Sequence, residues 1–317
     1  MALGRLVGRR LAVGTVILFV VSLLVFGASL LLPGDAARAV LGRSASPDRL
    51  AVVRAQMHLD DPAPQRYLAW ASDLVTGDLG NSTVSQEPVI ELIAGRSGNS
   101  LLLMAIAALV ATPLSLLLGS WSALRRDQLA DHATALGTLV LASLPEFVVG
   151  IALIYVFATG LLQWFPPVVS TTMPVLEQPS VLVLPVATLV LAVAPYITRM
   201  MRATMLEVLD SDFVHQARLN GIPERSVLWR HAVPNAIGPV AQVIGLQLAY
   251  LAGGIVLVEF LFAYPGIGQG IVEAVNARDI PTLQALIMLI AAFYVLVNLL
   301  ADVVGVLTNP RLRTGVA

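Results

Sequence analysis

The sequence predicts an all-α integral membrane protein with six transmembrane helices and both termini cytoplasmic. Three observations carry that prediction. Of 317 residues, 57% are hydrophobic and 12% charged, about half the charge of an ordinary soluble domain. Six apolar stretches come close to the roughly 20 residues needed to cross a bilayer core of about 30 Å. Arginine gathers on one side of the map those stretches draw. The apolar runs are continuous rather than alternating, which favours helices over a β-barrel.

Taken in order, residues 1–10 form a basic cytoplasmic start, and 11–32 are the uncharged first span. A signal peptide competes for this region, because Ala37-Arg38-Ala39 mimics a cleavage site. The apolar run exceeds the 7–15 residues of such a signal, so an uncleaved span is expected. Residues 33–97 make a long extracytoplasmic segment, with spans at 98–122, 133–162, 181–206, 236–262 and 282–307. A cytoplasmic connection covers 207–234, an outer loop 263–281 and a cytoplasmic tail 308–317. Arg5, Arg9, Arg10, Arg125, Arg126, Arg199, Arg202, Arg218, Arg225, Arg230, Arg311 and Arg313 then all lie inside, and the two short outer loops hold only Arg278. The long segment 33–97 is too long to count under the positive-inside rule.

Composition excludes several classes. All nineteen basic residues are arginine, and the formal net charge is −1, so no global field favours nucleic acid. With no cysteine there are no disulfides, thiolate metal sites or cysteine nucleophiles. The four histidines, His58, His132, His215 and His231, are scattered and make no metal motif. The hydrophobic content excludes intrinsic disorder.

Two polar regions carry structure of their own. In 33–97, Ser46-Pro47-Asp48 opens a helix, Pro62 and Pro64 break it, and Tyr67-Leu68-Ala69-Trp70 offers anchoring aromatics. A small helical cap over the outer mouth is expected. In 207–234, Ser211 or Asp210 caps a helix with Asp212 in its first turn. Phe213, Val214 and Ala217 give it an apolar face, and Asn220-Gly221 stops it. Pro223 starts a second short helix that ends near Val233. The connection reads either as a structural elbow or as a docking surface, where a small Ala217 and Gly221 allow close backbone approach.

Here the residues resemble a known family. Ala217, Gly221 and Pro234, with Val233 for Leu, match the cytoplasmic signature of ABC importer permeases, E-A-A, three residues, G, nine residues, I-x-L-P. His215, Gln216 and His231 depart from the general form. The flanking Met201–Leu209 and Trp229–Ala232 segments look like the dipeptide/oligopeptide/nickel subgroup, as do Leu32-Pro33-Gly34-Asp35, His58-Leu59-Asp60-Asp61-Pro62, Gly77-Asp78-Leu79-Gly80-Asn81-Ser82, Tyr264-Pro265-Gly266-Ile267-Gly268, Ala277-Arg278-Asp279-Ile280-Pro281 and Pro310-Arg311-Leu312-Arg313. The long outer segment resembles the B-type partner of a permease pair. The resemblance implies a type I importer permease fold with short cytoplasmic coupling helices. It implies a second homologous permease subunit, two cytoplasmic ATPase subunits and an extracytoplasmic substrate-binding protein. The residues it points to for coupling are Asp212, Phe213, Ala217, Arg218, Gly221 and Pro234. No cofactor is expected in this chain, ATP and magnesium belonging to the partner subunits. No G-x-x-x-x-G-K-[ST] sequence occurs.

Several residues invite other chemistry. Gly266-Ile267-Gly268-Gln269-Gly270 looks like a phosphate loop, but it follows an apolar span rather than a strand, and an outer turn folding back is expected. Glu146, after Pro145, is the charge set deepest in a span. It reads as a pore-lining group that meets a peptide amino terminus, or as a protonated or paired packing residue. Glu259 and Asp302 lie near span ends, where water reaches them. Neither an H-E-x-x-H nor a G-x-S-x-G motif appears, so the permease is expected to be non-catalytic. The expected function is half of the translocation pore of an ABC importer for short peptides or a related small solute. The alternative is a stand-alone secondary transporter or channel, which needs charged pairs deep in several spans.

Overall fold

The computed structural model describes residues 2–31, 46–56, 60–169 and 174–308. Among them there is no β-strand, only an isolated bridge between Asn81 and Pro88. The helices are α1 (Ala2–Leu31), α2 (Pro47–Gln56), α3 (Ala63–Thr76), α4 (Val89–Leu124), α5 (Leu129–Ser143), α6 (Glu146–Ile154), α7 (Pro179–Leu209), α8 (Asp212–Leu219), α9 (Glu224–Ser226), α10 (Val233–Leu261), α11 (Ile267–Ala277) and α12 (Ile280–Thr308). Five helical segments are long and apolar enough to cross a membrane, and α5 with α6 makes a sixth if counted as one bent span. The motif segments Leu32-Pro33-Gly34-Asp35 and Pro310-Arg311-Leu312-Arg313, the Ala37-Arg38-Ala39 triplet and His58-Leu59 lie outside the described residues.

The centre of the bundle is α7. Two thirds of its most apolar window is buried, against 11% for α12. It packs closest on α4, and sequence explains why. Leu103, Ala107, Ala111, Ser115 and Gly119 recur every four residues and form one buried stripe of α4. A Cβ on Gly119 would run into the Thr198 carbonyl and Met201, so glycine lets the two backbones approach. Small residues at this spacing are how membrane helices pack without a hydrophobic driving force. Leu182, Leu189 and Val193 of α7, with Ile255 and Val258 of α10, complete this core.

The third span is not the straight helix expected over 133–162. It breaks between α5 and α6 with a bend of 104°. Leu144 is extended, at φ −95° and ψ 134°, because the ring of Pro145 disfavours helical geometry in the residue before it. Glu146 therefore opens a new helix rather than interrupting a continuous one. The second span also differs from its expected start. Its helix begins at Val89, straight after Pro88, so the last turns of the segment 33–97 belong to α4.

At the end of the bundle formed by the α10–α11 turn, Glu259 is completely buried, which overturns the expectation that water reaches it. Ser100 donates to its Oε1 at 2.5 Å and the Gly268 amide to its Oε2 at 2.6 Å. Ser100 in turn accepts from the Ile267 amide at 2.8 Å. The carboxylate thus satisfies the free amides at the start of α11. Gly266 and Gly268 make the approach possible, since a Cβ on either would overlap Glu259 or the Val256 backbone. The glycine run is a close-packed turn leading into a helix. Asp279, at the α11–α12 turn, accepts from Ser82 at 2.6 Å, Thr282 at 2.7 Å and Thr83 at 3.0 Å, and so pins the loop before α4.

The outermost helix, α1, lies on α12. Arg10 grips Asp302 at 2.7 Å and Gln284 donates to Ser29 at 3.0 Å. The described part of the first polar region, 33–97, holds helices as expected. Tyr67 and Trp70 of α3 stack around Phe26 of α1, and Tyr67 shares a hydrogen bond with Ser22 at 2.9 Å.

Candidate docking surface between the fourth and fifth spans

Helix α8 follows α7 after a two-residue turn, and its sequence sets which side faces inward. Val214 and Ala217 are buried and join Val227 in a small core with Val208, Leu209 and Ile222. The opposite side is in the open: Asp212, Phe213, Gln216, Arg218 and Leu219 are all exposed. Ala217 therefore seats α8 on its own subunit, and its small side chain is what lets the helix lie so close to Val227.

The helix ends as Asn220-Gly221 foretells. The Ile222 amide bonds to the Ala217 carbonyl at 3.2 Å and the Gly221 amide to the Arg218 carbonyl at 3.0 Å, the paired bonds of a glycine C-cap. Gly221 has φ +76°, and a Cβ there would meet nothing within 4 Å. The Arg218 guanidinium then closes the turn on Glu224, Nε to Oε2 at 3.1 Å and Nη2 to Oε1 at 2.7 Å. The hydrogen bonds it donates to Glu224 raise Arg218 above its ordinary pKa. Both side chains are largely exposed, so the pair fixes geometry more than it adds stability.

The second short helix expected from Pro223 does not stand apart at an angle. α9 passes through a π-helical stretch, Val227–Ala232, straight into α10. The reason is Pro234, which has no N–H for the Arg230 carbonyl and crowds that turn. A widened ladder relieves the conflict, and the Asn235 side chain donates to the His231 carbonyl at 2.6 Å. Trp229 of this stretch is 59% exposed. With Phe213 and Leu219 it gives the connection three large apolar side chains open to solvent, of which sequence reasoning singled out only Phe213.

Sequence reasoning also missed the clamp beneath the surface. Asp131, at the start of α5, is buried and receives Arg202 of α7 on both oxygens at 2.6 Å. Ser122 of α4 donates to it at 2.6 Å and the Asp127 amide at 3.1 Å. Arg126 reaches Asp210, in the turn before α8, at 3.0 Å. The loop between α4 and α5 is thereby bolted to the end of α7 and to the turn before α8. Glu146 is not part of this site; it stands half-buried between α6 and α10, where Tyr250 donates to it at 2.7 Å. Among the described residues no three His, Asp or Glu side chains come together to hold a metal.

Residues 115–314 match the family model described as "Binding-protein-dependent transport system inner membrane component", and residues 3–103 match that of its N-terminal component. A probable peptide ABC transporter permease of Sinorhizobium fredii is 34% identical over 307 residues, covering 96% of this chain and 98% of its own. The glutathione transport system permease protein GsiC of Escherichia coli strain K12 is 36% identical over 296 residues, covering 93% and 94%. A putative peptide transport system permease of Brucella abortus is 34% identical over 312 residues, covering 97% and 98%. The signature around α8, the helical fold with its apolar spans and these full-length matches converge: the chain belongs to the binding-protein-dependent inner membrane component family and is an ABC importer permease subunit, a multi-pass protein of the cell membrane.

Proposed function

We propose that this chain forms half of the translocation pore for short peptides, with transport powered by ATP hydrolysis in partner subunits. The carrying observation is α8. Its inner side is committed to Val227 and Ile222, its outer side offers Phe213 and Leu219 to a partner, and its C-terminal end is fixed by Gly221 and by the Arg218–Glu224 pair. A short helix held in this way moves as a unit when pushed. Asp212, Phe213, Arg218 and Gly221 face a cytoplasmic ATPase subunit, while Ala217 and Pro234 set the pose of the helix. Closure of two such ATPases on ATP and magnesium pushes α8, and α7 and α10 carry the motion along the pathway. A second homologous permease forms the other half of the pore, and an extracytoplasmic binding protein delivers the solute. The arginine distribution supports a cytoplasmic location for α8. The printed functions of the relatives, peptide and glutathione transport, support peptides as the solute class.

The test is ATPase activity of the reconstituted complex with its binding protein, loaded in turn with di- and oligopeptides, glutathione and nickel chelates. Stimulation by a peptide-loaded form is the expected result. Stimulation by nickel chelates alone replaces the solute class. Failure of the chain to bind any ATPase overturns the coupling role.

A further inference from the structure

Three carboxylates in or beside the spans are engaged by groups of this chain. Asp131 has Arg202, Asp302 has Arg10, and Glu259 has Ser100 and the Gly268 amide. Glu146 differs. Among the described residues no cation pairs with it, and its hydrogen-bond donor is the Tyr250 hydroxyl on Oε2. Its Oε1 lies over Gly254, where even a Cβ would come within 3.0 Å, and takes no donor from the described residues. Gln247, three residues before Tyr250 on α10, carries a second buried acceptor, Oε1, without a partner.

Depth matters here. Tyr250 is eleven residues from the end of α10 at Leu261, about 16 Å at 1.5 Å per residue, and so near the middle of a core of about 30 Å. An ionised carboxylate there faces protein, water or a partner charge. Glu146 is half-buried and sits beside an exposed stripe of α10 formed by Leu246, Tyr250, Gly253 and Leu257. Tyr250 is 48% exposed and Tyr196 42%; the Tyr196 hydroxyl is 3.5 Å from the carbonyl of Ala142 on α5, across the break from Glu146. An unpaired carboxylate flanked by open aromatic rings is the composition that recognises an ammonium group.

We infer that Glu146 and Tyr250 form a mid-membrane binding site for the α-ammonium group of the transported peptide. This rests on the peptide reading above and adds a recognition step inside the permease itself. The carboxylate oxygen over Gly254 takes the ammonium, the Tyr250 hydroxyl holds the carboxylate in place, and the small Gly253 leaves room for the first residue of the peptide.

The chain has no cysteine, so Gly253→Cys, whose Cβ meets nothing within 4 Å, places one thiol beside the site. In the assembled transporter, with cysteine-free partners in proteoliposomes, labelling by a cationic methanethiosulfonate is compared with labelling by an anionic one. Adding Glu146→Gln is expected to lower the cation-to-anion rate ratio by about five- to tenfold, the effect of one nearby unit charge. Alanyl-alanine is expected to protect the thiol while N-acetyl-alanyl-alanine does not, and Glu146→Gln to abolish that protection. An unchanged rate ratio overturns the inference, as does equal protection by both peptides. No peptide uptake by the unsubstituted transporter, with the ratio still sensitive to Glu146, would sink the peptide reading instead.

Discussion

Arg202 holds Asp131 with two arms of its guanidinium, each at 2.6 Å, across the interface between α7 and α5. The two partners are unequally placed, since the Asp131 side chain is 2% exposed and that of Arg202 31%. Removing the arginine strands a buried anion, at a cost of about 3–5 kcal/mol. Removing the acid leaves a cation that water can still reach, at about 1–3 kcal/mol. Arg202→Met should therefore lower the melting temperature of the detergent-solubilised protein more than Asp131→Asn. The reverse order would show that the pair is wetter than its geometry implies.

Gly221 separates backbone strain from bulk. Gly221→Ala adds a Cβ that meets nothing, so only the left-handed conformation is penalised, by about 1 kcal/mol, and uptake should survive. Gly221→Trp should leave the complex assembled and hydrolysing ATP while uptake is lost. Normal uptake by that variant, measured with radiolabelled peptide in proteoliposomes, would count against coupling through α8.

The glycines of the α10–α11 turn should differ in tolerance. A Cβ on Gly268 meets the Val256 backbone, which cannot move aside, whereas one on Gly270 meets the outer part of the Arg96 side chain, which can. Gly268→Ala should cost about 1–3 kcal/mol and Gly270→Ala much less. Thermal unfolding of the two variants side by side decides it.

Asp279 accepts from Ser82, Thr83 and Thr282, so it governs the loop before α4. Asp279→Ala should raise amide hydrogen exchange over residues 82–86 while α7 keeps its protection. Equal exchange in both proteins would mean that the bridge between Asn81 and Pro88 alone holds the loop.

Much of this architecture was legible because it rests on local chemistry. The α8 stop follows from Asn220-Gly221, and the helix start at Pro47 from proline's fixed φ, whereas Pro62 and Pro64, read only as breaks, also open α3. The break at Leu144-Pro145 was equally local, yet an apolar run on both sides disguised it as one span. What escaped was the pairing of residues far apart in sequence. Glu259 looked like a water-facing residue at a span end, because only the fold brings Ser100 and Gly268 onto it. Asp131 and Arg202 are 71 residues apart and each resembles an ordinary flanking charge, although an arginine seven residues before the end of α7 was a usable hint. Tyr250 drew no notice among apolar neighbours, since its role depends on where the bent third span delivers Glu146.

The attachment of α1 to α12 also has a consequence for how the protein is made. Arg10 and Asp302 are separated by 292 positions, and ribosomes add roughly 5–20 residues per second. Helix α1 must therefore wait some tens of seconds for α12 to be synthesised. Until then Arg10, Ser29 and the α1 surface lack the partners they have in the finished fold. A chain halted anywhere before α12 carries that mark of incompleteness in its very first helix, where a membrane protease or chaperone can read it.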